Sequence, residues 1–439
     1  MAVGIALTGY LHPDHRVKLS EARDWLSRAA VWFETAGDAV LETRLARDAD
    51  DKPLAHILLH PVADPVELRI GGSGKVTIHA RTAPVGPGYH AYLCELLKEF
   101  AEDFEFTWNE TAAEHDPAHY FATEDLAKLE RHFLHWLAAE CSAALRKATP
   151  NQPLSIGMPR HPKFLHPGPI LTPLGPRPAE WLKEVAADPV RGVDFFPWWS
   201  PELDADFYAR RARTDLWLAF HWRPPLTEAE GELVDQIAAD LANAHEADPR
   251  ADLPWDAWAA VAEVIERDEN RFTVEPITGV LKQEIRSHAK ASAESLGYRR
   301  HPVVATLSGG WHVQLPGRLA LKRGEDGRTW TAWDDSLTVW FRDQLLGHPE
   351  HGPVPTPAEA ITTARKTLPS GEFLPSLHHQ DTIGEAVFGP HDEDGRKLWR
   401  LCGVAASGHR LAVCNIYLTR EADRDAAVTI WRSLYRVHT

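Results

Sequence analysis

Residues 177–267 constrain this chain most. They read as almost wholly helical, and seven of the 17 tryptophans in the chain fall within them. An aromatic side chain brings roughly 150–250 Å² of surface that must be covered. A fold for this stretch therefore needs either several helices packed around the rings or a surface that a partner covers. Ser200-Pro201-Glu202 predicts one helix start, with a hydroxyl cap and proline at the first position. Thr227-Glu228-Ala229-Glu230 predicts another, as a capping box ahead of Val234, Ile237, Ala238, Leu241 and Ala244.

The flanks have a different texture. Apolar residues at helical spacing over 16–35 predict a helix stopped by Gly37. Strand-like runs follow at 39–46, 54–60, 66–70 and 75–80, separated by short Asp- or Gly-rich turns, the pattern of an antiparallel meander. Helices are predicted at about 89–100 and 124–147, the second with Leu126, Leu129, Phe133, Leu137, Cys141 and Leu145 on one side. Beyond a Pro-rich connector at 149–175 and the helical stretch, short β-rich runs return at 311–315, 319–322, 329–333 and 337–341. A helix near 357–367, a hairpin of 399–405 with 410–418 around Ser407-Gly408, and a closing helix at 421–435 capped by Thr419 complete the chain. At 439 residues, two or three domains are expected. The expected class is α+β, with antiparallel sheets and packed helices at both ends and a helical Trp-rich middle. The divisions expected are 1–150, 151–270 and 271–439.

The last of these parts resembles PsbP-like α/β sandwiches. The features that carry the resemblance are the run of short strands, the final strand pair 399–418, and the amphipathic helix with Trp431-Arg432-Ser433-Leu434. The resemblance implies a fold used mostly for binding and assembly, and no catalytic motif comes with it.

Charge is unevenly spread. From Glu99 to Ala127 there are nine acids and no Lys or Arg, and from Pro224 to Glu266 there are eleven acids against Arg250 alone. Together these stretches are more negative than the whole chain, whose formal net charge is −16. Such a field repels nucleic acid and anionic membranes and attracts basic partners. A content of 44% hydrophobic and 25% charged residues excludes wholesale disorder. No 18-residue apolar run occurs and no basic region precedes the apolar N-terminus, so neither a membrane span nor a signal peptide is expected. The cytoplasm is the expected compartment, and Cys94, Cys141, Cys402 and Cys414 are expected as reduced thiols.

No motif names a reaction, and no cofactor is expected. Arg69-Ile70-Gly71-Gly72-Ser73-Gly74-Lys75 lacks the glycine and hydroxyl positions of a phosphate loop and continues into a strand, so it reads as a hairpin turn. Gly86-Pro87-Gly88 opens a helix whose free N–H groups suit an anion, and His79, Arg81, Tyr89 and His90 around it form a candidate anion site. Histidines pair at metal-like spacing at His115/His119, His132/His135 and His348/His351, and His378, His379 and Asp381 cluster in a loop, but none has a third ligand at a recognised offset, so no metal is expected. Trp198, Trp199, Trp217, Trp222, Trp255 and Trp258, with Glu228, Glu232 and Asp235, form a candidate interface of aromatic anchors beside carboxylates. The reading this favours is a non-enzymatic protein that binds a basic protein: an immunity or antidote protein against a toxin, or an accessory subunit of a defence or secretion system. The alternative is a hydrolase or transferase with its anion site near residues 86–90.

Overall fold

The computed structural model describes residues 3–12, 21–48, 50–71, 74–109, 116, 118–147, 154–158, 163–164, 170–270, 272–273, 279–289, 296–347, 354–379 and 381–437. The fold is α+β. It opens on strand β1 (Gly4–Leu11), helix α1 (Ala22–Ala36), the strands β2 (Glu42–Arg47), β3 (Pro53–Leu58), β4 (Val66–Ile70) and β5 (Lys75–Arg81), helix α2 (Pro87–Asp103) and β6 (Phe106–Trp108). The predicted meander is present, and the sheet runs in the order β2-β3-β4-β5-β1-β6. The apolar N-terminal run is itself a strand: Ile5, Leu7 and Leu11 are buried, and β1 pairs with β5 from Gly4↔Arg81 to Tyr10↔Lys75. Helix α3 (Tyr120–Thr123) and the long α4 (Leu126–Lys147) follow, with Leu129, Phe133, Leu137 and Cys141 buried as their spacing predicts.

The described parts of the connector are short strands, β7 (Leu154–Ser155), β8 (Lys163–Phe164) and β9 (Ile170–Thr172), followed by β10 (Gly175–Arg177). The middle is helical: α5 (Ala179–Ala187), a 3₁₀ segment at Pro189–Phe195, α6 (Ala205–Leu218), α7 (Glu228–Ala247), α8 (Trp255–Glu266) and α9 (Gly279–His288). Helix α6 begins later than Ser200 predicts. Asp204 is its cap and accepts the Phe207 N–H at 2.9 Å. Thr227 caps α7 by accepting the Glu230 N–H at 3.2 Å. The Glu230 carboxylate does not close the box, because Arg223 and the Leu226 N–H hold it.

The C-terminal part contains β11 (Pro302–Thr306), β12 (Trp311–Pro316), β13 (Ala320–Arg323), β14 (Thr329–Trp333), β15 (Leu337–Leu345), α10 (Pro357–Ala364), β16 (Glu372–Phe373), β17 (Leu377–His379), β18 (Thr382–Glu393), β19 (Arg396–Ser407), β20 (Arg410–Leu418), α11 (Arg424–Arg432) and β21 (Tyr435–Arg436). Its larger sheet runs β13-β14-β15-β20-β19-β18-β16, and β21-β12-β11-β8 form the other. Helix α11 lays Ala427, Ile430 and Trp431 into the core. Its start is set at Asp423 rather than Thr419, whose hydroxyl turns to the Ser336 carbonyl. The register of β19 and β20 places Cys402 opposite Asn415 and Cys414 opposite Gly403, so the two thiols leave opposite faces of the sheet. All four cysteines are free.

Three main cores result. One spans Val3 to Phe207, one lies among α6–α9, and one fills the C-terminal part. Helix α6 serves all three: Phe207 enters the first, Ala212 and Leu216 the second, and Trp217 and Leu218 the third.

Candidate functional site

The six tryptophans of the sequence-predicted interface divide between buried and half-buried positions. Trp198, Trp217 and Trp258 are at most 1% exposed. They belong to the N-terminal, C-terminal and helical cores respectively, so none lies on a surface in the folded molecule. Trp198 packs among Tyr89, Tyr92 and Phe207. The Trp217 Nε1–H donates to the Thr172 carbonyl at 3.1 Å. Trp199, Trp222 and Trp255 are half-buried.

The carboxylates are better placed for contact. Glu228, Glu232 and Asp235 recur at helical spacing along one side of α7; the first two are exposed and Asp235 is half-buried. Neither Glu228 nor Glu232 makes an ion pair among the described residues. Other acids of the same stretch are already engaged: Glu230 with Arg223, Asp240 with Arg211, and Glu266 with Lys282. At the turn from α7 to α8, Asp248 and Asp252 are exposed beside Trp255. The Trp255 ring stacks between Trp258 at 5.3 Å and His288 at 4.5 Å, with the His245 edge at 5.6 Å. A cleft of about 950 Å³ opens at the turn itself, lined by Arg177, Arg210, Arg213, Asp248, Asp252 and Pro254 among others. Asp206 binds Arg210 at its mouth with Nε–Oδ2 at 2.8 Å.

The first acidic stretch and the turn of α2 before it yield a second exposed set. Glu95, Glu99, Glu102 and Asp103 on α2 face solvent with Asp125 and with Glu124, which Lys98 pairs. Burial, then the neighbouring Glu124 charge, raises the Glu95 pKa. Glu110 and Glu114 lie outside the described residues, as do His115, His348 and His351.

The residues expected around the α2 N-terminus do not converge. His79 is exposed on β5, opposite in sense to the buried Ile78 and Ala80, and Arg81 lies 3.8 Å from Asp64. Tyr89 and His90 are fully buried. The helix end is closed by the segment ahead of α6: the Gly88 N–H donates to the Trp198 carbonyl at 3.2 Å, and the Trp198 N–H to Val85 at 3.0 Å. Gly86 has φ 137°, and a Cβ there would sit 2.1 Å from the Trp198 oxygen. His90 joins a polar chain inside the core. Its Nδ1 is 3.0 Å from Thr82 Oγ1, and its Nε2 is 3.4 Å from Asp116 Oδ1. Burial alone would push Asp116 up, but His90 and the N–H groups of Phe121 and Ala118 hold its pKa below the usual carboxylate value. Sequence spacing gave no sign of this chain, because its members sit on separate elements at no common period.

Among the described residues, no group of three or more His, Cys, Asp or Glu is placed to hold a metal ion. No helix among them is long and apolar enough to cross a membrane. Burial pushes the Cys141 and Cys414 thiols up to about 12.

No protein-family model and no curated protein matches the sequence. Among solved structures, the chain is similar to a crystal structure from Bacteroides thetaiotaomicron VPI-5482, at 10% identity and a TM-score of 0.24. That likeness covers 29% of this chain and 46% of the other, so the chain spans less than half of its length. The chain is also similar to the solution structure of cyanobacterial PsbP (CyanoP) from Synechocystis sp. PCC 6803, at 11% identity and a TM-score of 0.18, covering 34% of this chain and 99% of that one.

Proposed function

We propose that this chain is a cytoplasmic, non-enzymatic protein that binds a basic protein partner. It would serve as an immunity or antidote protein against a basic toxin, or as an accessory subunit of a defence or secretion system. The observation that carries this reading is the side of α7 where Glu228 and Glu232 stand exposed without a counter-ion among the described residues. Beyond the far end of the helix stand the exposed Asp248 and Asp252, followed in sequence by the half-buried Trp255. Exposed carboxylates without ion pairs at one end of α7 steer a cationic surface, and the Trp255 edge beyond its other end gives that surface an apolar anchor. The three core tryptophans take no part in the contact; their role is to hold the helices that present it.

The test compares the wild type with the charge reversal Glu228→Lys/Glu232→Lys/Asp248→Lys/Asp252→Lys as baits in native extract, washed at rising salt. The expected result is a basic protein retained by the wild type, released by salt, and lost from the variant. Identical retained proteins for the two baits would overturn the reading.

A further inference from the structure

A cleft of about 620 Å³ lies between the turn that follows α6 and the β11–β12 hairpin, with α11 at its rim. It adjoins a second cleft of about 710 Å³ through the shared residues His221, Arg299, Leu315 and Pro316. In a chain of net charge −16, the first cleft is lined by three arginines, Arg299, Arg300 and Arg318, against the exposed carboxylate of Asp425.

The arginines differ in what they already bind. Arg318 is neutralised by Asp334, with Nε–Oδ2 at 2.6 Å. Nearby, Glu230 is taken by Arg223 through two hydrogen bonds of 2.6 and 2.9 Å. Arg299 and Arg300 have no ion-pair partner among the described residues. Arg299 donates from Nη1 to the Gly317 carbonyl at 3.2 Å, while its Nε–H is buried without an acceptor. Arg300 donates from Nε to Leu296 at 3.0 Å and lies over the Trp222 ring at 3.5 Å. The Trp222 Nε1–H is likewise buried without an acceptor.

The backbone holds this arrangement at a cost. Trp222 has φ 59°, a conformation that bulky residues rarely adopt. Gly297 has φ 126°, and a Cβ there would meet the Trp222 Nε1 at 2.3 Å. Burial, reinforced by Arg299 and Arg223, drives the His221 pKa down to about 2, so this imidazole adds no positive charge of its own. A largely buried Arg299 guanidinium without an ion pair is expensive, and its Nε–H without an acceptor adds to that cost. One occupant relieves both costs at Arg299: a ligand that brings negative oxygens, while the Trp222 Nε1–H stays packed against Gly297.

We propose that this cleft binds a small organic molecule carrying a bidentate oxyanion, a phosphate monoester or a carboxylate, held by Arg299 and Arg300 alongside Trp222. The planar guanidinium fork matches both groups, and the volume suits a small ligand rather than a bare ion.

Titration calorimetry on the full chain tests this with glycerol 3-phosphate, citrate and inorganic phosphate, against sodium chloride at matched ionic strength. Saturable binding of glycerol 3-phosphate or of citrate, absent with chloride, is expected, and the tighter of the two identifies the oxyanion. Arg300→Ala, at an exposed position, should weaken that binding by about tenfold or more, the loss of one charge-assisted contact. Arg299→Lys keeps the charge without the fork and should also weaken it. Absence of saturable binding by either organic anion, or binding that Arg300→Ala leaves unchanged, would overturn the proposal.

Discussion

Asp215 is where burial acts most directly on stability. It is 4% exposed, and burial, followed by the charge of Asp240, raises its pKa from 3.8 to about 8. Between those values the folded chain keeps a proton that the unfolded chain has released. The stability that this proton contributes therefore falls as pH rises through this window and is fully lost only above it. His60 works on the other side: burial and then Arg211 lower its pKa from 6.5 to about 3, so stability falls as pH drops below 6.5. Asp215→Asn should flatten the loss on the alkaline side, measured as the difference between denaturant melts at about pH 5 and about pH 8. A slope equal to that of the wild type would contradict the assignment. Neither shift was legible in the sequence. A carboxylate and an imidazole acquire such values only when other elements strip their water, and the neighbour that matters to both, Arg211, is bound to Asp240 from another helix.

At the scale of elements much more was legible. The meander β2–β5, the helices α2, α4, α7 and α8, and the β19–β20 hairpin all follow from period and turn chemistry. Among the strands that escaped, such as β11, two did so for identifiable reasons. β1 reads as a short apolar run, and only its pairing with β5 and β6 makes it a strand. β18 contains Gly384, Gly389 and Pro390, residues that ordinarily punctuate strands. Pro390 is tolerated because β16 pairs only with Val387 and Phe388, leaving that edge without a described partner at the proline. Gly384 has a packing reason that it shares with Gly403 of β19: a Cβ on Gly403 would meet the Trp431 ring at 2.5 Å, and one on Gly384 would meet it at 3.1 Å. Trp431 is fully buried, so it has little room to move. Gly403→Ala should destabilise the chain by roughly 1–3 kcal/mol through overpacking, read as a lower denaturant midpoint at constant slope. A neutral result would show that α11 shifts on the sheet without cost.

At the scale of the whole molecule, α6 ties the three cores together. Trp217→Ala should remove a fully buried side chain from the C-terminal core, with a cost of roughly 3–5 kcal/mol. Because that contact joins the helical middle to the C-terminal part, calorimetry should show the single transition broaden or split. A single sharp transition at an unchanged temperature would argue that the parts are joined elsewhere. What the sequence by itself determined is local: which stretches are helices or strands, where turns fall, and that the acids gather in two segments. These follow from periods of two to four residues and from counts, which need no knowledge of the fold. Tertiary structure alone decided which tryptophans are core, which carboxylates are spent on internal arginines, and that Trp222, Arg299 and Arg300 share one cleft. Burial and convergence join residues far apart in the chain, and no periodicity encodes that.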